Sequence, residues 1–237
     1  MQFFYQIKNL ILEILFPKFC FGCQREGEYL CQDCKSTLDF TTSFYCLCEK
    51  PKKIPKPGKC KNCKDKNLDG LYFPFSYKIP LIKNLIHNFK YVPFIKELAK
   101  PLADCLKDYF LLLDQRPDFS DFLVLPLPLH KSRLKWRGFN QAAEIGKYFC
   151  KNFNLKMNDV LVKIKKTRPQ TELDGKERLE NIKGAFLVKN KKLIEDRKIL
   201  LIDDVYTTGS TMEEAAKILK KFGAKEVWGL VLAREEF

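Results

Sequence analysis

With 237 residues, 46% of them apolar, the chain can bury one full-sized core and still spare a small appended module, so one α/β domain plus a satellite is the expected plan. Its 43 Lys and Arg outnumber 29 Asp and Glu, for a formal charge of +14. Such a surface attracts phosphates, nucleic acid or anionic lipid headgroups.

In the opening segment, Phe4, Ile7, Ile11, Ile14 and Leu15 recur at helical spacing and predict an amphipathic helix ending before Pro17. It would dock on its own protein or meet a membrane surface or partner. Lys8 and Glu13 interrupt the run, no basic start precedes it and no small-residue cleavage site follows, so neither a signal peptide nor a transmembrane segment is expected.

Eight of the ten cysteines follow. Cys20-x-x-Cys23 and Cys31-x-x-Cys34 form one set, and Cys46-x-Cys48 with Cys60-x-x-Cys63 another. Two such turns offer one ion a tetrahedron of sulfurs, and the spacing points to Zn²⁺ over disulfides in a reducing compartment. Sequential pairing closes the shorter loops, although a crossed arrangement uses the same eight residues. Two tetrathiolate ions would lower the net charge to roughly +10. The single residue inside Cys46-x-Cys48 makes that turn the tightest bite and leaves open an incomplete second site. Cys105 and Cys150 stand alone in apolar surroundings and read as small buried hydrophobes.

Residues 50–66 carry eight lysines, three prolines and a glycine and predict an exposed loop. A boundary is expected here, with a helix and metal module over 1–68 and an α/β domain over 69–237. Within the latter, 71–77 reads as a short strand, 79–89 and 95–110 as helices (the second interrupted at Pro101), and 116–120 as a loop. Strands are predicted over 122–127, 160–164, 184–188, 199–203 and 227–232, and helices over 139–151 and 211–222, Gly223 supplying a stop. This alternation argues for a parallel sheet covered on both faces.

The most informative stretch runs from Ile199 to Thr211. An apolar strand ends in Asp203 and Asp204 and enters a loop, Thr207, Thr208, Gly209, Ser210 and Thr211, that opens a helix. Loop amides and a helix N-terminus converge on one anion, as a phosphate requires, and Gly209 permits close backbone approach. Beside a phosphate, carboxylates bind sugar hydroxyls or a divalent cation; as mere turn caps they would not need to be paired. Leu127 and Pro128 follow the first core strand, where a loop through His130 could hold pyrophosphate with Lys131, Arg133 and Arg137 nearby. The bland alternative is that 130–137 is a solvated basic turn. Trp136 among these bases also suits stacking on a nucleobase, whereas His87 has no such context.

The string Asp203–Thr211 resembles the 5-phosphoribosyl-1-pyrophosphate fingerprint of type I phosphoribosyltransferases. Leu125-Pro126-Leu127-Pro128-Leu129-His130, Arg133 and Arg137-Gly138-Phe139-Asn140-Gln141, with Thr167, Gln170, Arg178, Asn181 and Gly184-Ala185-Phe186, resemble the ComF competence-protein family, which also begins with a cysteine-rich zinc module. The resemblance implies an open, mostly parallel α/β sheet flanked by helices with a small zinc-ribbon-like module before it. It implies that Asp203 and Asp204 hold the ribose hydroxyls, that Thr207 to Thr211 receive the 5′-phosphate, and that Mg²⁺ accompanies the ligand. In an enzyme, Arg168 and Arg178 on a closing loop would neutralise transition-state charge. Two residues before the loop threonine the family carries arginine, whereas Lys165 stands here, so either Lys165 or Arg168 faces the ligand.

Two functions compete. In one, which the ComF resemblance implies, the chain serves natural transformation, handling imported single-stranded DNA at the cytoplasmic side of the inner membrane beside DNA-uptake proteins; the positive charge agrees with this, and the zinc module would touch DNA or protein. In the other it is a phosphoribosyltransferase for an unidentified small acceptor. The chain ends shortly after its last strand without a C-terminal hood, so an acceptor pocket is expected from 71–120.

Overall fold

The structure, a computed structural model, describes residues 16–167 and 175–235; the helix expected before Pro17 lies outside them. The chain divides into two compact units after Asp39. In the first, Phe19 bridges Glu26 antiparallel, while Cys20 N donates to Arg25 O and Gln24 N to Cys20 O, both at 2.9 Å. The knuckle so closed carries Gln24 in left-handed conformation, φ 61°. Helix α1 (Gln32–Ser36) starts at Cys31, whose sulfur takes the capping role by accepting from Cys34 N.

The second unit opens with an antiparallel pair, β1 (Phe44–Tyr45) and β2 (Lys53–Ile54), and a 3₁₀ turn at Lys61–Cys63. It continues through β3 (Gly70–Tyr72), β4 (Phe75–Ser76), α2 (Pro80–Lys90), α3 (Ala99–Leu112) and β5 (Phe122–Pro126). After α4 (Lys131–Arg137), α5 (Gln141–Phe153), β6 (Lys156–Met157), β7 (Leu161–Lys163), α6 (Gly175–Ile182) and β8 (Phe186–Val188) comes β9 (Lys198–Ile202). The last elements are β10 (Val205–Tyr206), α7 (Ser210–Lys221), β11 (Glu226–Leu230) and β12 (Ala233–Arg234).

Five strands form one wholly parallel sheet in the order β3-β11-β9-β5-β6. Its period-2 alternation sorts the residues cleanly. Leu71, Leu123, Leu125, Ile199, Leu201 and Val227 share one face with Met212, Ala215, Ala216 and Leu219 of α7. From the alternate positions Tyr72 and Phe122 join an aromatic cluster with Phe110 of α3, Phe119, and Phe149 and Phe153 of α5. Both faces are covered, which is why β9 reads as an unbroken apolar run rather than an alternating one.

Several expectations are corrected. The strands predicted near 160–164 and 184–188 do not join the parallel sheet; β7 and β8 pair antiparallel by themselves. The single strand expected over 71–77 is two, split at Pro74, which has no N–H for a ladder. Pro101 does not break its helix, because it falls in the first turn of α3, where backbone donors have no intrahelical partner anyway. The basic run after His130 is not a simple turn but a seven-residue helix, α4, capped by His130 Nδ1 accepting from Ser132 N and ended by Gly138 at φ 79°.

The split strands share a cause that shapes the site. Beyond β9, β11 and β3 the ladder lapses for two residues and re-forms as β10-β12-β4, also parallel. Asp203 and Asp204 are the residues in the lapse between β9 and β10.

Candidate functional site

In that lapse the main chain stays satisfied: Asp203 N donates to Leu230 O and Leu232 N to Asp204 O, both at 3.0 Å. The two side chains line a cleft of about 390 Å³ at the carboxyl end of the central strand, where open α/β sheets bind ligands. Asp203 Oδ1 accepts from Asp204 N, and Asp204 Oδ1 accepts from both Val205 N and Lys90 Nζ, each at 2.8 Å. Burial, then the neighbouring Asp204 charge, push the Asp203 carboxyl up to about 7. Burial works against the charge of Lys90, but the Asp204 and Asp203 carboxylates outweigh it and hold the ammonium above its ordinary value. Two buried carboxylates side by side offer hard oxygens of the kind that suit Mg²⁺.

The loop that follows is built around Gly209, at φ 77°. A β-carbon there would lie 2.1 Å from Tyr206 Oη, so glycine is required both by backbone conformation and by the ring beneath. Tyr206 is buried, and its hydroxyl has no hydrogen-bond partner among the described residues. Thr208 Oγ1 donates to Ser210 Oγ at 3.1 Å, pinning the turn into α7, while Thr207 and Thr211 line the cleft.

Leu127, Pro128, Arg133, Trp136, Arg137 and Asn140 supply another wall. Asn140 holds it in place: Nδ2 donates to Leu127 O and Oδ1 accepts from Ala142 N, both at 3.1 Å. Arg137 is 8% exposed; its Nη1 donates to Gln141 Oε1 at 3.1 Å and its guanidinium lies 5.7 Å from the centre of the Tyr91 ring. Its Nε has no partner among the described residues, an arrangement that fits an anionic ligand group.

Of the predicted ligand residues the structure therefore gathers Asp203, Asp204, Thr207, Thr211, Leu127, Pro128 and Arg137 in one cleft, with Thr208, Gly209 and Ser210 in the connecting turn. Arg168 lies outside the described residues, as does the side chain of Arg178. Sequence reasoning missed Lys90, Tyr77, Tyr91, Lys163 and Glu235, which share the lining. Of the lysines near the loop, Lys165 is exposed and Lys163 reaches the cleft, where burial and then Arg133 lower its ammonium to about 8. Tyr77, Lys90 and Tyr91 come from the segment expected to frame an acceptor.

The cysteines gather sequentially, Cys20, Cys23, Cys31 and Cys34 in one cluster and Cys46, Cys48, Cys60 and Cys63 in the other. Nearest sulfurs are 3.6–3.7 Å apart, and four sulfurs about 2.3 Å from a tetrahedral ion would lie about 3.8 Å apart. Each cluster can therefore hold one metal ion, and the tight Cys46-x-Cys48 turn does contribute both sulfurs. Backbone donors already face the clusters: Cys31 N points to Cys20 Sγ, Lys52 N to Cys46 Sγ and Cys60 N to Cys63 Sγ at 3.2–3.4 Å. Within each cluster the thiols shift in opposite directions: despite burial, amides of Cys31, Cys23 and Gly22 hold Cys20 down to about 6 and the Asn62 amide holds Cys60 at about 7, while the hydrogen bond with Cys31 pushes Cys34, and burial pushes Cys48, up to about 12. Cys105 and Cys150 are buried elsewhere.

A family model described as phosphoribosyl transferase domain matches residues 137–235, a span that holds Arg137, both aspartates and the hydroxyl loop. Competence protein F of Haemophilus influenzae is 29% identical over 229 residues, covering 90% of each chain. Competence protein ComFC of Streptococcus pneumoniae is 29% identical over 218 residues, 89% of this chain and 90% of that protein. The DNA utilization protein YhgH of Escherichia coli O6:H1 is 30% identical over 159 residues, 64% of this chain and 67% of that one.

Proposed function

The chain belongs to the ComF competence-protein family, and from that premise we propose that it binds 5-phosphoribosyl-1-pyrophosphate with Mg²⁺ and serves natural transformation. Its larger unit carries the type I phosphoribosyltransferase fold. The observation that carries the reading is the meeting of Asp203 and Asp204, the Thr207–Thr211 loop and the buried, half-partnered Arg137 around one cleft. In it the two carboxylates take the ribose hydroxyls, the loop from Thr207 to Thr211 takes the 5′-phosphate, and Leu127, Pro128 and Arg137 face the pyrophosphate. Mg²⁺, when bound, supplies charge neutralisation between the pyrophosphate and the acids. Both cysteine clusters hold Zn²⁺ in this reading, and the exposed lysines grip imported single-stranded DNA at the cytoplasmic side of the inner membrane, beside uptake proteins.

Phosphoryl-ribose transfer to a small acceptor is the second reading. It is favoured by Tyr77 and Tyr91, which line the cleft together with the carboxylates, and it would use Arg168 and Arg178 against developing charge. Pyrophosphate release screened across bases and amines separates it from ligand binding without turnover.

Calorimetry with 5-phosphoribosyl-1-pyrophosphate and Mg²⁺ tests the site. We expect saturable binding by the wild type and a loss of at least a hundredfold in Asp203→Asn/Asp204→Asn; equal affinity in the two proteins refutes the assignment of the acids.

A further inference from the structure

A fully buried arginine with no carboxylate partner among the described residues needs an explanation. Arg234, in β12, is 1% exposed. Its Nη1 donates to Cys46 O at 2.8 Å and its Nη2 to Cys48 O at 2.7 Å. Its guanidinium carbon lies 5.2 Å from the centre of the Tyr206 ring and 5.7 Å from that of Phe73. One buried cation thus spans the backbone of the second cysteine cluster and the ring that lies directly beneath Gly209.

Charge and geometry both make sense of this placement. A tetrathiolate site with a divalent ion carries a formal charge of −2, so a cation beside it is stabilised without a carboxylate partner. The fork needs two carbonyls at a set separation, and the positions of Cys46 and Cys48 follow from holding both sulfurs on one ion, with buried Leu47 between them. A second link starts from the same cluster. Lys66 N donates to Cys63 O at 3.2 Å, and the next residues clamp Glu213 in the first turn of α7. Asn67 N donates to its Oε1, Asn67 Nδ2 to the same oxygen at 2.8 Å, and Leu68 N to Oε2 at 3.3 Å. The turn Thr207–Ser210 is therefore tied to the cluster on both sides, through Tyr206 before it and Glu213 after it.

We propose that the second cysteine cluster is part of the phosphate site, its metal ion setting the Thr207–Thr211 turn through Arg234 and Glu213 as positioning residues. This deepens the reading of the cleft as a sugar-phosphate site and rests on it. Coupling between two ligands is reciprocal: metal at the second cluster strengthens ligand binding, and ligand in the cleft protects that metal.

The experiment uses the full-length, metal-loaded chain and a chromophoric chelator selective for zinc over Mg²⁺. Without ligand the two ions should leave at separable rates. Saturating 5-phosphoribosyl-1-pyrophosphate with Mg²⁺ should slow one phase at least tenfold, and Cys60→Ser/Cys63→Ser should delete that phase. Arg234→Met should still carry two metal equivalents, lose the protection and bind the ligand at least tenfold more weakly in calorimetry. Arg234→Lys, able to reach only one carbonyl well, should fall between. Glu213→Ala provides an independent arm should Arg234→Met fail to fold, and should also lose protection. A mere packing defect would speed metal loss equally with and without ligand, so protection is the discriminating readout. Release indifferent to ligand in a wild type that binds it, or full protection in both Arg234→Met and Glu213→Ala, overturns the coupling alone; a wild type that binds no ligand in calorimetry overturns the cleft reading and the coupling with it.

Discussion

Asp203 illustrates how one residue can serve ligand binding at the expense of the empty fold. An unfolded aspartate titrates near about 3.9, whereas burial and the Asp204 charge raise the folded carboxyl to about 7. The folded chain then holds that proton more tightly, so the residue's contribution to stability is full below about pH 4 and is lost as pH climbs through about 7. Asparagine keeps the carbonyl that accepts from Asp204 N and carries no charge. We expect Asp203→Asn to raise the stability of the ligand-free protein at pH 8 by about 1 kcal/mol, or about 2–4 °C in the unfolding midpoint, while weakening ligand binding. The gain should shrink at pH 6, where wild-type Asp203 is largely protonated. Scanning calorimetry of both proteins at the two pH values checks this, and a midpoint lowered at pH 8 contradicts it.

Elements show why part of the site could be read in advance and part could not. Residues 199–211 declare themselves because strand, acids, glycine and helix start are contiguous, and local rules suffice. Lys90 of α2, Lys163 of β7 and Tyr77 of the turn between β4 and α2 enter the cleft from elsewhere in the chain, and nothing near them in the chain announces it; only the sheet order does. α4 was obscured for a different reason. Its seven residues include four Lys or Arg and no apolar stripe, and the sequence signals that do exist, a capping His130 and a left-handed Gly138, are weak ones. The break after β9 was likewise hidden, since an apolar run does not reveal where its ladder lapses. Asn140 is where the element scale becomes testable. Its side chain both caps α5 and holds the Leu127 carbonyl, so Asn140→Ala should cost about 1–2 kcal/mol in stability and also displace the Leu127–Pro128 wall. Denaturant melts should show the first effect and a several-fold loss of 5-phosphoribosyl-1-pyrophosphate affinity the second; a stability loss with unchanged affinity would separate the cap from the wall.

At the scale of the whole molecule the excess of positive charge is distributed unevenly. Around the second cysteine cluster, Lys50, Lys52, Lys53, Lys56, Lys61 and Lys64 are all exposed, as are Lys131 and Lys135 on α4. Exposed lysines without partners add little to stability, so charge held on this knuckle is better explained by an external polyanion than by folding. No helix among the described residues is long and apolar enough to cross a membrane; the polyanion to test is single-stranded DNA, the partner of the proposed role. Such contacts release counterions, and log K falls with log salt at about 0.7 per neutralised phosphate for single strands. If four phosphates are contacted, affinity for an oligonucleotide should drop roughly fiftyfold between about 50 and 200 mM salt. Lys52→Glu/Lys53→Glu/Lys56→Glu should weaken binding uniformly across sequences and flatten the slope, while calorimetric affinity for the sugar phosphate, governed by a cleft that these residues do not line, should be unchanged. Gel-shift titrations over that salt range decide the matter: a salt-independent shift, or a triple variant with the wild-type slope, would remove the lysine-rich knuckle from DNA handling.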